Sequence, residues 1–206
     1  MDEILFKHAT DEQLAWVSPL ERLKWEEADV LIVLRAAENT RALTNVNPEK
    51  QQLYINARRE VRETYLRRAA EGTLRWTLTV YPCPAYAQDA DMSLEEYEDF
   101  VYGATFADQT DPVARWQEVH REQARLVDWL KGRDRVEVRG PNAELDLSVA
   151  GRTFINSDGH NNMPSGEIFT GPVETSANGW IRFTYPAIKE GREVDCLLYT
   201  SPSPRD

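Results

Sequence analysis

The segment Ala28-Asp29-Val30-Leu31-Ile32-Val33-Leu34 determines the fold class, because it is an almost unbroken apolar run. Such a run is typical of a strand that is covered on both faces in a parallel sheet. On its amino-terminal side, Ser18-Pro19-Leu20-Glu21 has the pattern of a capping box with proline at the first helical position. The sequence therefore predicts a short helix, ending at Glu27, that leads into the first strand.

A second strand is predicted beyond one long helix. Pro48 begins an amphipathic pattern with apolar residues at every fourth position as far as about Glu71, and Gly72 ends it. The next β-type run is Leu74–Tyr81. Strand, helix, strand is the order of an α/β layer structure with a mostly parallel sheet.

Two further helices are predicted before the pattern changes. Ser93-Leu94-Glu95-Glu96 is a second capping box, and Asp111-Pro112 begins a helix that runs to Leu130. The last helix has an apolar stripe that is expected to face the core: Trp116, Val119, Leu126 and Trp129. The basic residues of the long earlier helix alternate with glutamates, which favours a solvated face over an anion site. They are Arg58, Arg59, Arg62, Arg67 and Arg68.

After residue 131 the sequence becomes β-rich. Residues 135–139 and 144–149 alternate polar with apolar around Gly140-Pro141-Asn142, which predicts an antiparallel hairpin. Shorter strands are predicted over 151–155, 168–170 and 179–185. We therefore expect an α/β domain over 1–131 and an incomplete β-rich second domain over 132–195. Residues 196–206 end in a Ser/Pro tract and have the character of foreign read-through.

Composition excludes several classes of protein. Among 206 residues, 35 acidic and 24 basic side chains give a net charge of -11, which disfavours nucleic-acid binding. No run approaches the roughly 18 apolar residues that a membrane helix needs, and no signal peptide is recognisable. Cys83 and Cys196 lack the spacing of a disulfide framework or a zinc site. A cytoplasmic protein without membrane or nucleic-acid partners is expected.

The segment 154–172 contains most of the residues that the sequence offers as candidates for a functional site. Its glycines and prolines fix backbone directions tightly, as a chain requires when it must aim one side chain. The local candidates for metal ligation are Asp158, His160, Glu167 and Glu174, since divalent ions accept carboxylate and imidazole ligands. The plainer interpretation is an ordered turn with an Asx-type cap at Asp158 and a solvated His160. His8 and His120 show no partnered carboxylate pattern and are expected to be structural. No motif of a Ser/His/Asp catalytic triad is recognisable. No phosphate-binding loop is recognisable either, which disfavours a nucleotide-binding protein.

The order of several motifs resembles the metalloaminopeptidase family of aminopeptidase T and aminopeptidase S. The most specific match is Asn156-Ser157-Asp158-Gly159 followed by Asn162-Met163-Pro164-Ser165-Gly166-Glu167-Ile168-Phe169-Thr170-Gly171-Pro172. Further matches are residues 42–46, 75–76, 85–90, 92–100 and 111–113. The resemblance extends from about Asp2 to Val194.

The resemblance implies a two-domain hydrolase that removes amino-terminal residues from peptide substrates with a pair of divalent metals, namely zinc, cobalt or manganese. The family's N-M-P-x-G-E glutamate is a metal ligand, which maps onto Glu167, whereas the position of His160 is not a ligand. The metals would polarise the scissile carbonyl and activate a bound water. The family's other ligands lie beyond Val194, and its first strand and helix precede Asp2. This comparison implies a fragment truncated at both ends that lacks activity and stably bound metal.

A second hypothesis remains open. The α/β domain could instead be a non-catalytic binding module, or one that pairs as a homodimer. The two hypotheses differ in whether a longer version of the chain hydrolyses aminoacyl substrates when divalent metal is added.

Overall fold

The computed structural model describes residues 2–189 and 192–201. Their contacts form two compact units. The first contains the described residues up to Leu94 together with Arg192, and the second contains residues 95–189 and 193–201. The helices that follow Leu94 therefore lie in the same compact unit as the β-rich segment. The domain boundary near residue 132 remains a prediction. None of the described helices is both long enough and apolar enough to cross a membrane.

Three short helices begin the first unit: α1 (Asp2–His8), α2 (Asp11–Ala15) and α3 (Pro19–Glu27). The Thr10 hydroxyl caps α2 in a reciprocal capping box with Gln13. Ser18 caps α3 as predicted, since its hydroxyl accepts from the Glu21 backbone N–H at 3.0 Å. These caps set the points at which the chain enters each helix.

The central strands of the first unit are β1 (Val30–Arg35) and β2 (Arg75–Val80). They run parallel, with Val30 opposite Arg75 and Arg35 opposite Val80. Between them lie α4 (Pro48–Ala57) and α5 (Arg59–Ala70), so the connection has the predicted strand–helix–strand order. The mixed α/β fold class is confirmed.

The prediction that the first strand is covered on both faces is wrong for the described part of the chain. Leu31 and Val33 are half-buried, whereas Val30, Ile32 and Leu34 are 49%, 67% and 66% exposed. Successive side chains of a strand point to opposite faces, so one face of β1 packs and the other meets solvent.

The helix predicted over residues 48–71 is divided at Arg58, whose backbone leaves helical geometry at φ -95° and ψ 6°. The Arg58 guanidinium donates to the backbone oxygens of Leu14 and Trp16, at 3.2 Å each. Its Nε lies 3.0 Å from a carboxylate oxygen of Glu21, and only 18% of the side chain is exposed. The break thus places a cation where it satisfies backbone oxygens at the carboxyl-terminal end of α2.

The arginines of this region do not share one solvated face. Arg58 is half-buried, and Arg68 donates to the backbone oxygens of Trp25 and Thr73. Arg59, in contrast, is exposed and pairs with Glu63 one helical turn away. The predicted solvated face is therefore wrong for Arg58 and Arg68, which bind backbone oxygens. The apolar residues predicted at every fourth position of these helices are buried or half-buried.

The core of the first unit is small. Its buried cluster and the partly buried residues packed against it come from the first helices and from the segment around α4: Phe6, Ala9, Leu14, Val46, Leu5, Leu43, Leu53 and Tyr54. Leu14 is fully buried. The short helix α6 (Pro84–Asp89) follows β2 and buries Ala85 and Ala87.

The second unit contains α7 (Leu94–Ala104) from its second residue onward and α8 (Pro112–Leu130). The Asp111 carboxylate caps α8 as predicted, since it accepts from the Ala114 backbone N–H at 2.9 Å. The predicted core stripe of α8 is wrong at its carboxyl-terminal end, where Leu126 and Trp129 are 55% and 64% exposed. The buried residue of α8 is Gln123.

A four-stranded antiparallel sheet forms part of the second unit. Its strands are β3 (Arg135–Gly140), β4 (Ala143–Ser148), β8 (Asn178–Arg182) and β11 (Leu198–Ser201), in the order β11-β8-β4-β3. The predicted hairpin of β3 and β4 is confirmed, with Gly140 opposite Ala143 across its turn. The described part of the predicted read-through tail adds β11 to this sheet. Residues 202–206 lie outside the described residues, and the foreign origin of the tail remains a prediction.

The remaining strands are shorter: β5 (Ile155–Ser157), β6 (Asn162–Met163), β7 (Glu167–Phe169), β9 (Ala187–Lys189) and β10 (Arg192–Val194). The strand predicted over 151–155 is therefore wrong, since β5 begins where it was expected to end. Gly151 has φ +70°, and the Arg152 backbone N–H donates to Val149, so this segment turns instead of extending.

Candidate metal-ligand hairpin

The predicted metal ligand Glu167 is the first residue of β7, in a short hairpin formed by β5 and β7. The two strands are antiparallel, with Ile155 opposite Phe169 and Ser157 opposite Glu167. The backbone N–H of Gly166 donates to Ser157 at 2.9 Å and closes the connecting segment onto β5. Residues 155–169 are called the Glu167 hairpin below.

Two glycines set the path of the connecting segment. Gly159 and Gly166 have φ +96° and +98°, in the region that glycine tolerates best. A Cβ on Gly159 would also lie 2.9 Å from the methyl carbon of Met163 and 3.3 Å from the indole ring of Trp116. The segment therefore needs glycine at 159 both for its backbone conformation and for its packing against α8.

The buried amide of Gln123 holds the hairpin to α8. Its Nε2 lies 2.7 Å from Asn156 Oδ1, 3.2 Å from the Ser157 backbone oxygen and 3.0 Å from the Glu167 backbone oxygen. Gln123 is only 8% exposed. One side chain thus binds both strands of the hairpin.

A second polar contact between α8 and the hairpin involves Asp158. One of its carboxylate oxygens lies 2.5 Å from His120 Nδ1 and the other lies 2.5 Å from His160 Nδ1. The Asp158 side chain is 7% exposed, whereas those of His120 and His160 are 52% and 84% exposed. An ionised carboxylate only accepts hydrogen bonds, so each imidazole carries a proton on Nδ1 in this arrangement.

The pKa of the Asp158 carboxyl reflects these partners. Burial is the largest single effect and raises the pKa. The hydrogen bonds from His160 and His120, together with the charge of His160 and its backbone N–H, outweigh burial, so the pKa lies below the ordinary aspartate value. The expectation that His120 has no carboxylate partner is therefore wrong. His160 is exposed as expected, and its backbone N–H contacts Asp158 Oδ1 at 3.4 Å in the predicted Asx-type turn.

The other candidates from the sequence lie apart from this arrangement. The Glu174 carboxylate pairs with Arg152 at 2.7 Å, and a backbone hydrogen bond and this guanidinium lower its pKa. His8 lies in the last turn of α1, in the first unit. The structure thus places Asp158 and His160 together, engages Glu174 with a cation, and leaves Glu167 exposed.

The described residues do not by themselves fit a metal ion. A stable site needs at least three converging ligands. Over residues 2–189 and 192–201, no three histidine, cysteine, aspartate or glutamate side chains are grouped suitably to hold one. Glu167 as a metal ligand therefore remains a prediction.

Sequence reasoning missed Gln123, Asn156 and Trp116 as parts of this arrangement. Gln123 lies in the apolar stripe of α8 between Val119 and Leu126, a position where a polar side chain must be hydrogen-bonded if it is buried. That interruption of the stripe is the signal that could have identified it. The partners could not have been identified, because they lie 33 and 44 residues further along the chain.

Comparison with known families identifies the group to which this chain belongs. A family model described as thermophilic metalloprotease (M29) matches residues 1–199. The chain belongs to this family. The match extends over most of both compact units and includes the whole Glu167 hairpin, and it confirms the resemblance inferred from the sequence motifs.

Two curated aminopeptidases are similar to this chain at low sequence identity. Aminopeptidase 2 of Geobacillus stearothermophilus is 27% identical over 217 residues, which covers 96% of this chain and 52% of that protein. Aminopeptidase T of Thermus thermophilus is 25% identical over 180 residues, covering 79% of this chain and 44% of that protein. The chain thus spans about half the length of the curated relatives it matches.

A solved structure shares the fold. Wild-type AmpT from Thermus thermophilus matches with a TM-score of 0.73 and 21% sequence identity, over 96% of this chain and 53% of that one. At this identity the likeness supports the fold alone. It agrees with the mixed α/β architecture described above.

Proposed function

We propose that this chain is part of a metal-dependent aminopeptidase that hydrolyses amino-terminal residues from peptide substrates. Its contribution is the carboxylate of Glu167, which serves as one ligand of a pair of divalent metals, zinc, cobalt or manganese. The other ligands come from polypeptide outside this chain, so the chain alone is inactive and binds no metal stably. Membership of a metalloprotease family and the names of the matching relatives support this proposal.

The observation that carries the proposal is a contrast among the candidate carboxylates. Asp158 is buried against two imidazoles, and Glu174 is paired with Arg152. The side chain of Glu167 is exposed, and its backbone is held by Gln123. A ligand that must reach a cation shared with another segment needs this combination of an accessible carboxylate and a fixed main chain.

The remaining parts of the proposal concern setting and partners. Cys83 and Cys196 are both free thiols, which suits the reducing cytoplasm. Peptides are the proposed substrates, and pairing into a homodimer is compatible with an aminopeptidase. The exposed face of β1 is an apolar surface on which the alternative, a non-catalytic binding or dimerisation module, would depend.

Activity of a longer polypeptide tests the proposal. The coding DNA is read beyond the codon for Val194, and the longer product is assayed against aminoacyl amides with zinc, cobalt or manganese. We expect hydrolysis by the longer product and none by the 206-residue chain. Glu167→Gln in the longer product should remove bound metal, because a neutral amide is a much weaker ligand than a carboxylate.

Glu144→Gln is the matched control, since Glu144 is an exposed glutamate on β4. It should retain metal, and both variants should keep the circular dichroism spectrum of the parent. A longer product that stays inactive with every metal would favour the binding module. Full metal content in Glu167→Gln, measured by mass spectrometry, would show that this carboxylate is not a ligand.

A further inference from the structure

The amide group of Gln123 is the only buried side-chain donor from α8 that the described residues place on the backbone of the Glu167 hairpin. A glutamine amide has two hydrogens, and three oxygen atoms surround it here. The shortest contact, 2.7 Å, is to Asn156, and the next, 3.0 Å, is to the backbone oxygen of Glu167. The oxygen of Ser157, at 3.2 Å, shares one of these hydrogens.

These acceptors come from both strands, so Gln123 acts on the hairpin as a whole. Asn156 and Ser157 belong to β5, and Glu167 begins β7. The backbone oxygen that Gln123 binds belongs to the same residue whose side chain is the proposed metal ligand. Fixing this oxygen restricts rotation of the Glu167 peptide group and therefore the direction in which its carboxylate leaves the strand.

A neighbouring position of α8 adds to the same attachment. His120 lies three residues before Gln123, which puts both side chains on one face of the helix. Asn156 Nδ2 donates to the backbone oxygen of His120 at 3.0 Å, and His120 Nδ1 contacts Asp158. Asn156 thus accepts from Gln123 and donates to His120, so its amide links the two anchors.

We propose that Gln123 is a positioning residue for the Glu167 ligand: by holding both strands of the hairpin on α8, it sets the direction of that carboxylate. This inference rests on the proposed function for its consequence, namely metal affinity. Its structural step, the attachment of the hairpin by one buried amide, can be measured separately in the chain as it exists.

Hydrogen exchange of the 206-residue chain tests the structural step. Gln123→Met keeps the length of the side chain but removes its donors. The exchange of the Gly166 amide, which donates to Ser157, should become about tenfold to a hundredfold faster, since a buried hydrogen-bond network is left incomplete. Amides of the β3–β4 hairpin should keep their protection. Gln117→Met, at an exposed glutamine on the same helix, is the matched control and should change neither region.

Gln123→Glu gives a readout that loss of packing alone would not produce. At neutral pH its carboxylate faces three oxygen acceptors and should open the hairpin. On protonation it can donate one hydrogen bond, so the protection of Gly166 should recover partly at acidic pH. The other titratable groups at this face are His120, Asp158, His160 and Glu167. These groups are also present in Gln123→Met, which serves as the control and should show no recovery of Gly166 protection at acidic pH.

The outcomes separate the positioning role from the proposed function. Exchange at Gly166 within twofold of the parent in Gln123→Met, or equal acceleration in both hairpins, would overturn the positioning role. In the longer polypeptide, Gln123→Met should lower metal occupancy at limiting metal while Gln117→Met does not. An open hairpin with unchanged occupancy would also overturn it and leave the proposed function intact. Full occupancy in Glu167→Gln would refute the proposed function, and with it the consequence assigned to Gln123.

Discussion

The two hairpins of the second unit are held together in different ways. In the hairpin of β3 and β4, six-residue strands pair along their whole length around a tight turn. In the Glu167 hairpin, strands of three residues pair across a longer connection and depend on side chains from α8. The first is stabilised by neighbours in sequence and in the sheet, and the second by contacts from a distant helix. The hairpin that carries Glu167 is thus the one whose side-chain hydrogen bonds reach a helix far away in the sequence.

Removing apolar volume from the first hairpin should have the largest effect. Leu145 of β4 is 8% exposed, so Leu145→Ala leaves a cavity and should cost about 2–5 kcal/mol of unfolding free energy. Hydrogen exchange of the β3 and β4 amides measures this loss. Leu126→Ala, on an exposed part of α8, should change stability by less than about 0.5 kcal/mol.

The same variant tests whether the two hairpins are separate. If Leu145→Ala accelerates exchange at Gly166 as much as in β4, the hairpins open as one cooperative unit and the contrast between them is wrong. Loss confined to the sheet would show that attachment to α8 stabilises the Glu167 hairpin independently.

A substitution at Gly159 should destabilise the Glu167 hairpin, at a smaller cost in free energy than Leu145→Ala. Gly159→Ala introduces a Cβ at a positive φ and against Met163 and Trp116, which should cost about 1–3 kcal/mol through strain and overpacking. Faster exchange should be limited to the Glu167 hairpin. Gly132→Ala is the matched control, because Gly132 also has a positive φ but nothing lies within 4 Å of an added Cβ.

Gly132→Ala should therefore report backbone strain alone, at the lower end of that cost. Equal effects of the two substitutions would mean that contact with α8 adds nothing at Gly159. A larger and local effect at Gly159 would sharpen the contrast between a hairpin that needs α8 and one that does not.

The contrast also explains which features the sequence could predict. The β3–β4 hairpin, the parallel strands and the capped helix starts depend on patterns within a few residues, such as the alternation over 135–149 and the Asp111 cap. The Asp158–His120 contact joins residues 38 apart and leaves no periodic signal. The break at Arg58 was missed for the same reason, since its guanidinium binds oxygens more than 40 residues away. The exposed face of β1 could not be predicted, because an apolar run in a strand does not show which other elements pack against each of its faces.

Each of the two hairpins contains an aspartate whose contribution to stability should depend on pH. Asp158 in the Glu167 hairpin and Asp146 in β4 both have a pKa below the ordinary value. For Asp146 the causes are hydrogen bonds from Arg135 and Arg139. A lowered pKa means that the unfolded state binds the proton more tightly, so the stabilisation is present above the ordinary aspartate value of about 3.9. It is lost as the pH falls through the lower value of the folded state.

Asp158→Asn should therefore weaken protection of Gly166 at neutral pH, and the difference from the parent should diminish as the pH is lowered through this range. Asp146→Asn should have a smaller effect on β3 and β4, because its partners are exposed arginines and added salt screens them. Asp158 is buried, so its effect should persist in salt. Exchange measured at low and high ionic strength separates the two. Equal salt sensitivity would mean that Asp158 acts as a surface charge pair and that its contact with His120 does not anchor the hairpin.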